Sequence, residues 1–333
     1  MRIRPALQAL IGKLQPRRPR PVILMYHRIA EALIDPWDLA VSPDRFAEQL
    51  DCLRRSRHPL RLSEFIARLR DGTLPDDAVA VTFDDGYADN FLAAKPLLEA
   101  ACVPATVFLA TGYLGRSRGF WWDELASLLL GHAGPERLEL TIGGFEATAD
   151  LGFRMPTMED RSWRAASGPA TPRQGAYLTI RNGLRLLDEE EREGVMAALR
   201  SCFADSTGPA LHRAMTRSEV HDLVGGGLID IGAHTVTHAA LTHLAECAGC
   251  DEIGRSRQAC EVLAEAPIEA FAYPYGEFDD TVRASVKRAG LAFACSTQHG
   301  AVGRKSDLFA LPRIQVLDWD GDMFEKTLLA SVG

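Results

Sequence analysis

Short apolar runs recur along this chain, and each is followed by apolar residues at helical spacing. The runs occupy 21–26, 79–83, 105–110, 228–233, 270–273 and 292–296, and 309–314 leads into a last one. Runs of that length bounded by turn signals read as buried strands. Between them, Phe46, Leu50 and Leu53 follow the helix start Ser42-Pro43-Asp44, and Leu62 to Leu69 forms a second amphipathic stretch. Strands alternating with helices at this pace give parallel β-α-β units, hence an α/β sheet or barrel. In such folds chemistry gathers at the carboxyl ends of the strands. His27 and the pair Asp84-Asp85 stand at those positions.

The alternation breaks at about 131–212. Leu138 to Ile142 alternates like a hairpin strand, 152–173 is rich in Pro, Ser, Thr, Met and Arg, and Asp188 opens a helix running to about Phe203. This region reads as an insertion into one catalytic domain spanning 21–333. The 333 residues suffice for one large domain or two small ones. A net charge of −8 argues against nucleic acid as a partner, and no run is apolar for long enough to form a transmembrane helix. Residues 1–20 are basic and Pro-rich, with no acid before Glu31 and no convincing signal-peptide pattern. They read as a solvated tail, or as a weak contact with an anionic membrane surface. The expected location is cytoplasmic, with membrane association through that tail. Seven scattered cysteines fit reduced thiols, and the lone Cys247-x-x-Cys250 spacing is expected on a helix surface.

The run Val79 to Phe83 ends in Asp84-Asp85-Gly86. Two carboxylates at the end of a buried strand must face water, a cation or strong hydrogen bonds. His234 and His238 begin at another strand end, and if the residues after His234 turn helically, both imidazoles share a face. Such a pair is often no more than surface or core histidine. With a carboxylate it matches a common catalytic zinc set of two His and one acid with an open fourth position. One acid of the pair would then be a ligand and the other a general base.

The stretches Thr82-Phe83-Asp84-Asp85-Gly86-Tyr87, His234-Thr235-Val236-Thr237-His238 and Phe271-Ala272-Tyr273-Pro274-Tyr275-Gly276, in this order, resemble the polysaccharide deacetylase (NodB-homology) family of carbohydrate esterases. The resemblance implies a distorted seven-stranded (β/α) barrel, a divalent metal (usually zinc), and hydrolysis of an N-acetyl group from an aminosugar in a polysaccharide or its precursor. It implies Asp85, His234 and His238 as metal ligands, Asp84 as the base, Tyr275 as a backbone oxyanion donor, and Thr235 as a brace for the histidine loop. Trp121, Trp122, Tyr87 and Pro274 are assigned to the substrate face, with core packing the competing reading for at least one tryptophan.

Two departures stand out. Where the family carries an arginine to pair with the base, this chain has Ala272, and Arg313 is the cation proposed in its place. Ser296-Thr297-Gln298-His299 does not fit the usual acid motif, whereas Leu24-Met25-Tyr26-His27 resembles permuted members in which the acid comes first. His27 is therefore assigned as the acid, a structural histidine being the alternative. Two other functions stay open at this point: an O-acetyl or N-formyl sugar hydrolase on the same site, and a catalytically silent saccharide-binding protein.

Overall fold

The computed structural model describes residues 19–142, 144–152, 155–203 and 212–330. The basic stretch before residue 19, with its expected membrane contact, lies outside the described residues.

Seven parallel strands form a closed barrel: β1 (Val22–Tyr26), β2 (Ala78–Phe83), β3 (Ala105–Leu109), β4 (Ile229–Ala233), β5 (Ala270–Ala272), β6 (Phe293–His299) and β7 (Leu311–Gln315). They follow one another around the barrel in chain order. β1 closes it by pairing with β2 from Val22↔Val79 to Tyr26↔Phe83 and with β7 at Leu24↔Ile314. Closure leaves no unpaired edge between the first and last strands.

Strand side chains alternate, so each strand buries two faces. Val22, Leu24, Tyr26, Val79, Val81 and Phe83 pack outward with Phe46, Leu50 and Leu53 of helix α1 (Pro43–Ser56). Ile23, Ala80, Phe108, Ala272, Phe293 and Leu311 form a separate inner cluster. The same period of two carries Thr82, Asp84 and Arg313 inward, so the inside of the barrel turns polar toward the carboxyl ends of the strands.

The segment after helix α2 (Trp121–Gly131) departs from the barrel pattern. It holds an antiparallel hairpin, Arg137–Ile142 with Phe145–Asp150, and helices α3 (Met158–Ser162), α4 (Pro172–Leu184) and α5 (Glu189–Cys202). Each helix starts at a capping box: Thr157 with Asp160, Thr171 with Gln174, Asp188 with Glu191. The apolar faces of α4 and α5, with Trp163 just after α3, share a core with Trp121, Trp122, Leu125 and Leu129 of α2. The segment also docks on the loop after β1, where Trp37 Nε1 donates to Tyr177 Oη at 2.8 Å. All seven cysteines are free, and Cys247 and Cys250 lie on helix Glu246–Ala264, the first exposed and the second half-buried.

The chain re-enters the barrel through helix Arg217–Gly225, whose start is fixed electrostatically. Both Glu219 oxygens accept from the Arg213 guanidinium at 2.7 Å, and one also accepts from Thr216 N at 2.8 Å. The Arg213 fork, outweighing partial burial and aided by Thr216, holds the Glu219 carboxyl at about 2. Because the folded value lies below the ordinary 4.5, the stabilisation is present above that pH and is lost as pH falls toward 2. Glu219→Gln should cost about 1–2 kcal/mol at pH 7 by urea unfolding. The gap from wild type should shrink between pH 4.5 and 2; a gap independent of pH would contradict this role.

Candidate active site

At the carboxyl end of the barrel, β2 delivers Asp84 and Asp85, β4 delivers His234, and the loop after β4 delivers His238. Asp85 Oδ1 stands 3.4 Å from Nε2 of both histidines. All three side chains are buried, and Asp85 Oδ1 has no hydrogen-bond partner among the described residues. A buried carboxylate oxygen left without a donor is costly unless a cation meets it. Two ligands of a tetrahedral ion about 2.0–2.1 Å away stand about 3.3 Å apart, so the observed spacing suits one shared metal. His234 Nδ1 lies 2.8 Å from the Ala272 carbonyl. A proton held there leaves the Nε2 lone pair facing Asp85.

The electrostatics divide the two histidines. At His234 burial is outweighed by the pull of Asp85 and Asp84, which raises its pKa above the ordinary value and favours a proton that a bound metal would displace. Burial drives His238 down to about 3, against the attraction of Asp85, so its imidazole is neutral as a ligand must be. Burial also disfavours a charged Asp85, but His238 and His234 more than offset it and hold the carboxyl below its usual value.

Asp84 is bound differently. Arg313 Nη1 and Nη2 donate to its two oxygens, each at 2.7 Å, and the same guanidinium reaches Thr82 Oγ1 at 3.1 Å and the Ser296 carbonyl at 2.9 Å. Burial would protonate this acid, yet the Arg313 fork holds it well below the carboxylate range. The cation missing at Ala272 therefore comes from β7. His27 lies just beyond β1 and lines the cleft, its carbonyl held by Asn90 Nδ2 at 2.8 Å.

The backbone here is strained. Asp85 (φ 73°), Thr235 (φ 64°), His238 (φ 55°) and Tyr275 (φ 58°) all lie in the left-handed region, which costs a non-glycine residue about 1–2 kcal/mol. Gly86 follows at φ 81°, and a β-carbon there would stand 2.7 Å from the Leu109 side chain. The loop after β4 is not helical, so the two imidazoles do not owe their shared face to a helical turn. Glu252 of helix Glu246–Ala264 accepts from Val236 N at 2.8 Å, Thr237 N at 2.9 Å and Thr237 Oγ1 at 3.0 Å, which fixes a bent loop instead. Thr235 Oγ1 accepts from Ala239 N at 3.3 Å, as a brace would.

A cleft of about 460 Å³ opens over the triad, lined by His27, Asp84, Asp85, His234, His238, Trp122 and Tyr275. Trp122 packs on the ligand face, its ring 4.7 Å from that of His238. Three other residues assigned to the substrate face do not line this cleft. Tyr87 is fully buried beneath it, linking Trp122 Nε1 to Asp123 through 2.8 Å hydrogen bonds. Trp121 turns into a second cleft, of about 620 Å³, beside α5. Pro274 is buried in the turn that presents Tyr275. Of the two tryptophans, both pack in the core shared with the inserted segment, and only Trp122 also lines the cleft over the triad.

Sequence reasoning missed Trp37, Arg181 and Arg185, which line the same cleft, as well as Glu252. The Arg181-x-x-x-Arg185 spacing was the available signal, since it puts both residues on one helix face.

With this geometry in hand, the comparisons are direct. The profile of the family described as Polysaccharide deacetylase matches residues 71–132 and 178–294, more than half of the chain. The chain belongs to the polysaccharide deacetylase family. This deacetylase-family chain is a hydrolase by that membership, and its buried Asp-His-His set suits the metal that such enzymes typically use. Among solved structures it is similar to the Streptococcus pyogenes deacetylase PplD in complex with acetate, with a TM-score of 0.58, 18% identity, and coverage of 94% of this chain and 99% of that one. IcaB from Ammonifex degensii gives a TM-score of 0.58 at 18% identity over 95% and 98% of the two chains. A de-N-acetylase from Aggregatibacter actinomycetemcomitans gives 0.51 at 15% identity over 93% and 99%. These likenesses establish the shared barrel fold. Among curated proteins, no sequence matches this chain.

The Asp84–Arg313 pair makes a stability prediction. Arg313→Met should destabilise the protein by about 3–5 kcal/mol in urea unfolding, because it strands a buried carboxylate. Adding Asp84→Asn should recover part of that loss. Equal losses in the single and double variants would contradict the pairing.

Proposed function

We propose that this deacetylase removes the N-acetyl group of an aminosugar in a polysaccharide or its precursor, with zinc as the first-choice metal. The observation that carries this reading is the division of labour between adjacent acids. Asp85 points an unpartnered oxygen at two histidines, while Asp84 is kept ionised by Arg313 outside that set. The shared barrel fold of the Aggregatibacter actinomycetemcomitans de-N-acetylase supports the amide as the bond attacked.

Asp85, His234 and His238 would hold the ion, which supplies Lewis acidity toward a carbonyl and toward water. Asp84 takes the proton of the attacking water. The Arg313 fork keeps that carboxylate charged and oriented despite its burial. The backbone N–H of Tyr275, presented by the strained turn after β5, donates to the oxygen that gains charge. His27, which lines the same cleft, gives a proton to the leaving nitrogen as the carbon–nitrogen bond breaks. Trp122 forms part of the wall on which the sugar's apolar face rests. The products are acetate and a free amino sugar.

Acetate release from N-acetylated saccharides should stop on chelation and return with added zinc. Asp84→Asn should lower kcat by about 10²-fold or more with metal content unchanged, and His234→Ala should lose the metal. Loss of metal in Asp84→Asn would mean that the roles of the two acids are exchanged. Stoichiometric zinc in His234→Ala would contradict the ligand set. Release from O-acetyl but not N-acetyl sugars would overturn the amide assignment.

A further inference from the structure

The inserted segment does more than cover the barrel. The C-terminal end of α4 projects Arg181 into the cleft over the triad, and Arg185 follows it. Tyr275 bridges the two regions. Its ring centroid lies 4.5 Å from that of His238, and the Arg181 and Arg185 guanidinium carbons lie 5.8 and 5.3 Å from the Tyr275 centroid. The cations therefore stand about one aromatic ring away from a metal-ligand histidine.

Their partners are unequal. Arg185 donates to Glu277 at 2.8 Å. Arg181 has no carboxylate within ion-pair distance among the described residues. Its guanidinium carbon lies 3.9 Å from the Trp37 ring centroid, its Nη1 stands 3.5 Å from Asn182 Oδ1 at the limit of a hydrogen bond, and its Nε is buried with no partner. Tyr275 Oη is likewise buried and unpartnered. Contact with Trp37 uses the guanidinium face and leaves the hydrogen-bonding edge for a planar or tetrahedral oxyanion. Glu277, paired to Arg185, attracts Arg181 only from beyond ion-pair distance. A half-buried arginine with no anion in contact is an expensive way to attach a helix to a tryptophan, which an apolar side chain would do at lower cost.

We propose that Arg181, seconded by Arg185 and Tyr275 Oη, binds an oxyanion carried by the substrate, so that the aminosugar acted on is an anionic saccharide bearing a phosphate or a carboxylate beside the reacting acetamide. The proposal rests on the deacetylase reading for the word substrate, but its test does not need turnover. The cleft then selects a phosphorylated precursor or an acidic repeat over a neutral N-acetylglucosamine polymer, and Arg181 is its specificity-determining residue.

The test is calorimetric binding to the metal-free full chain at two salt concentrations. The ligands are N-acetylglucosamine 1-phosphate, an N-acetylglucosamine–glucuronate disaccharide and neutral diacetylchitobiose. At least one anionic ligand should bind about tenfold or more tightly than the neutral one, with the preference weakening at high salt. The preferred arm identifies the anion as phosphate or carboxylate. Arg181→Gln should reduce the ratio to near one, and Arg181→Lys should leave it between the two. Equal binding of all three ligands by the wild type, or an undiminished ratio in folded Arg181→Gln, would overturn the proposal. Failure of the deacetylase reading would show separately, as absence of acetate release from every ligand by the zinc-loaded protein.

Discussion

The ion pair between Arg313 and Asp84 is the interaction on which the rest of the site depends. A carboxylate buried at the end of a strand would ordinarily protonate and could not act as a base. Here a guanidinium 229 residues away in sequence meets it with two 2.7 Å hydrogen bonds. The two residues come together because β1 pairs with β2 on one side and with β7 on the other. Closing the barrel and charging the proposed base are therefore one event. Every nitrogen of the fork has an acceptor, Nε on the Ser296 carbonyl and Nη1 on Thr82 as well as Asp84, which offsets much of the cost of burying the pair.

Around that pair the fold spends stability on geometry. Asp85, Thr235, His238 and Tyr275 all adopt the left-handed conformation, and they are four of the seven non-glycine residues that do so among those described. Such strain persists only where surroundings over-determine it. Glu252 does this for the histidine loop, and Gly86, packed against Leu109, does it for the paired acids. The inserted segment adds Arg181 and Arg185 to the cleft wall, against Trp37 of the loop after β1, so the barrel supplies the proposed reacting groups while the insertion shapes the space above them.

Much of this was legible in the sequence because it is local. The strands announce themselves as short apolar runs, and Asp84-Asp85-Gly86 and His234 to His238 sit at strand ends by construction of the fold. Arg313 was found from charge need alone, since a buried base requires a cation somewhere. What was illegible depends on distant partners. The residues after His234 avoid a helix because Glu252, on another element, takes their N–H groups. Tyr87 and Trp121 carry sugar-binding chemistry but are claimed by packing against the inserted helices, a contact that no local pattern reports. Arg181 and Arg185 lie in a segment whose broken rhythm hides that one helix end reaches back over the triad.

The central claim is that adjacent acids hold different posts, Asp85 in the metal set and Asp84 outside it. Anomalous diffraction at the zinc absorption edge, from crystals of the zinc-loaded protein, tests it most directly. The account predicts one peak bounded by Asp85, His234 and His238, with Asp84 still gripped by both nitrogens of Arg313. A peak ligated by Asp84, or one located away from the two histidines, would contradict it.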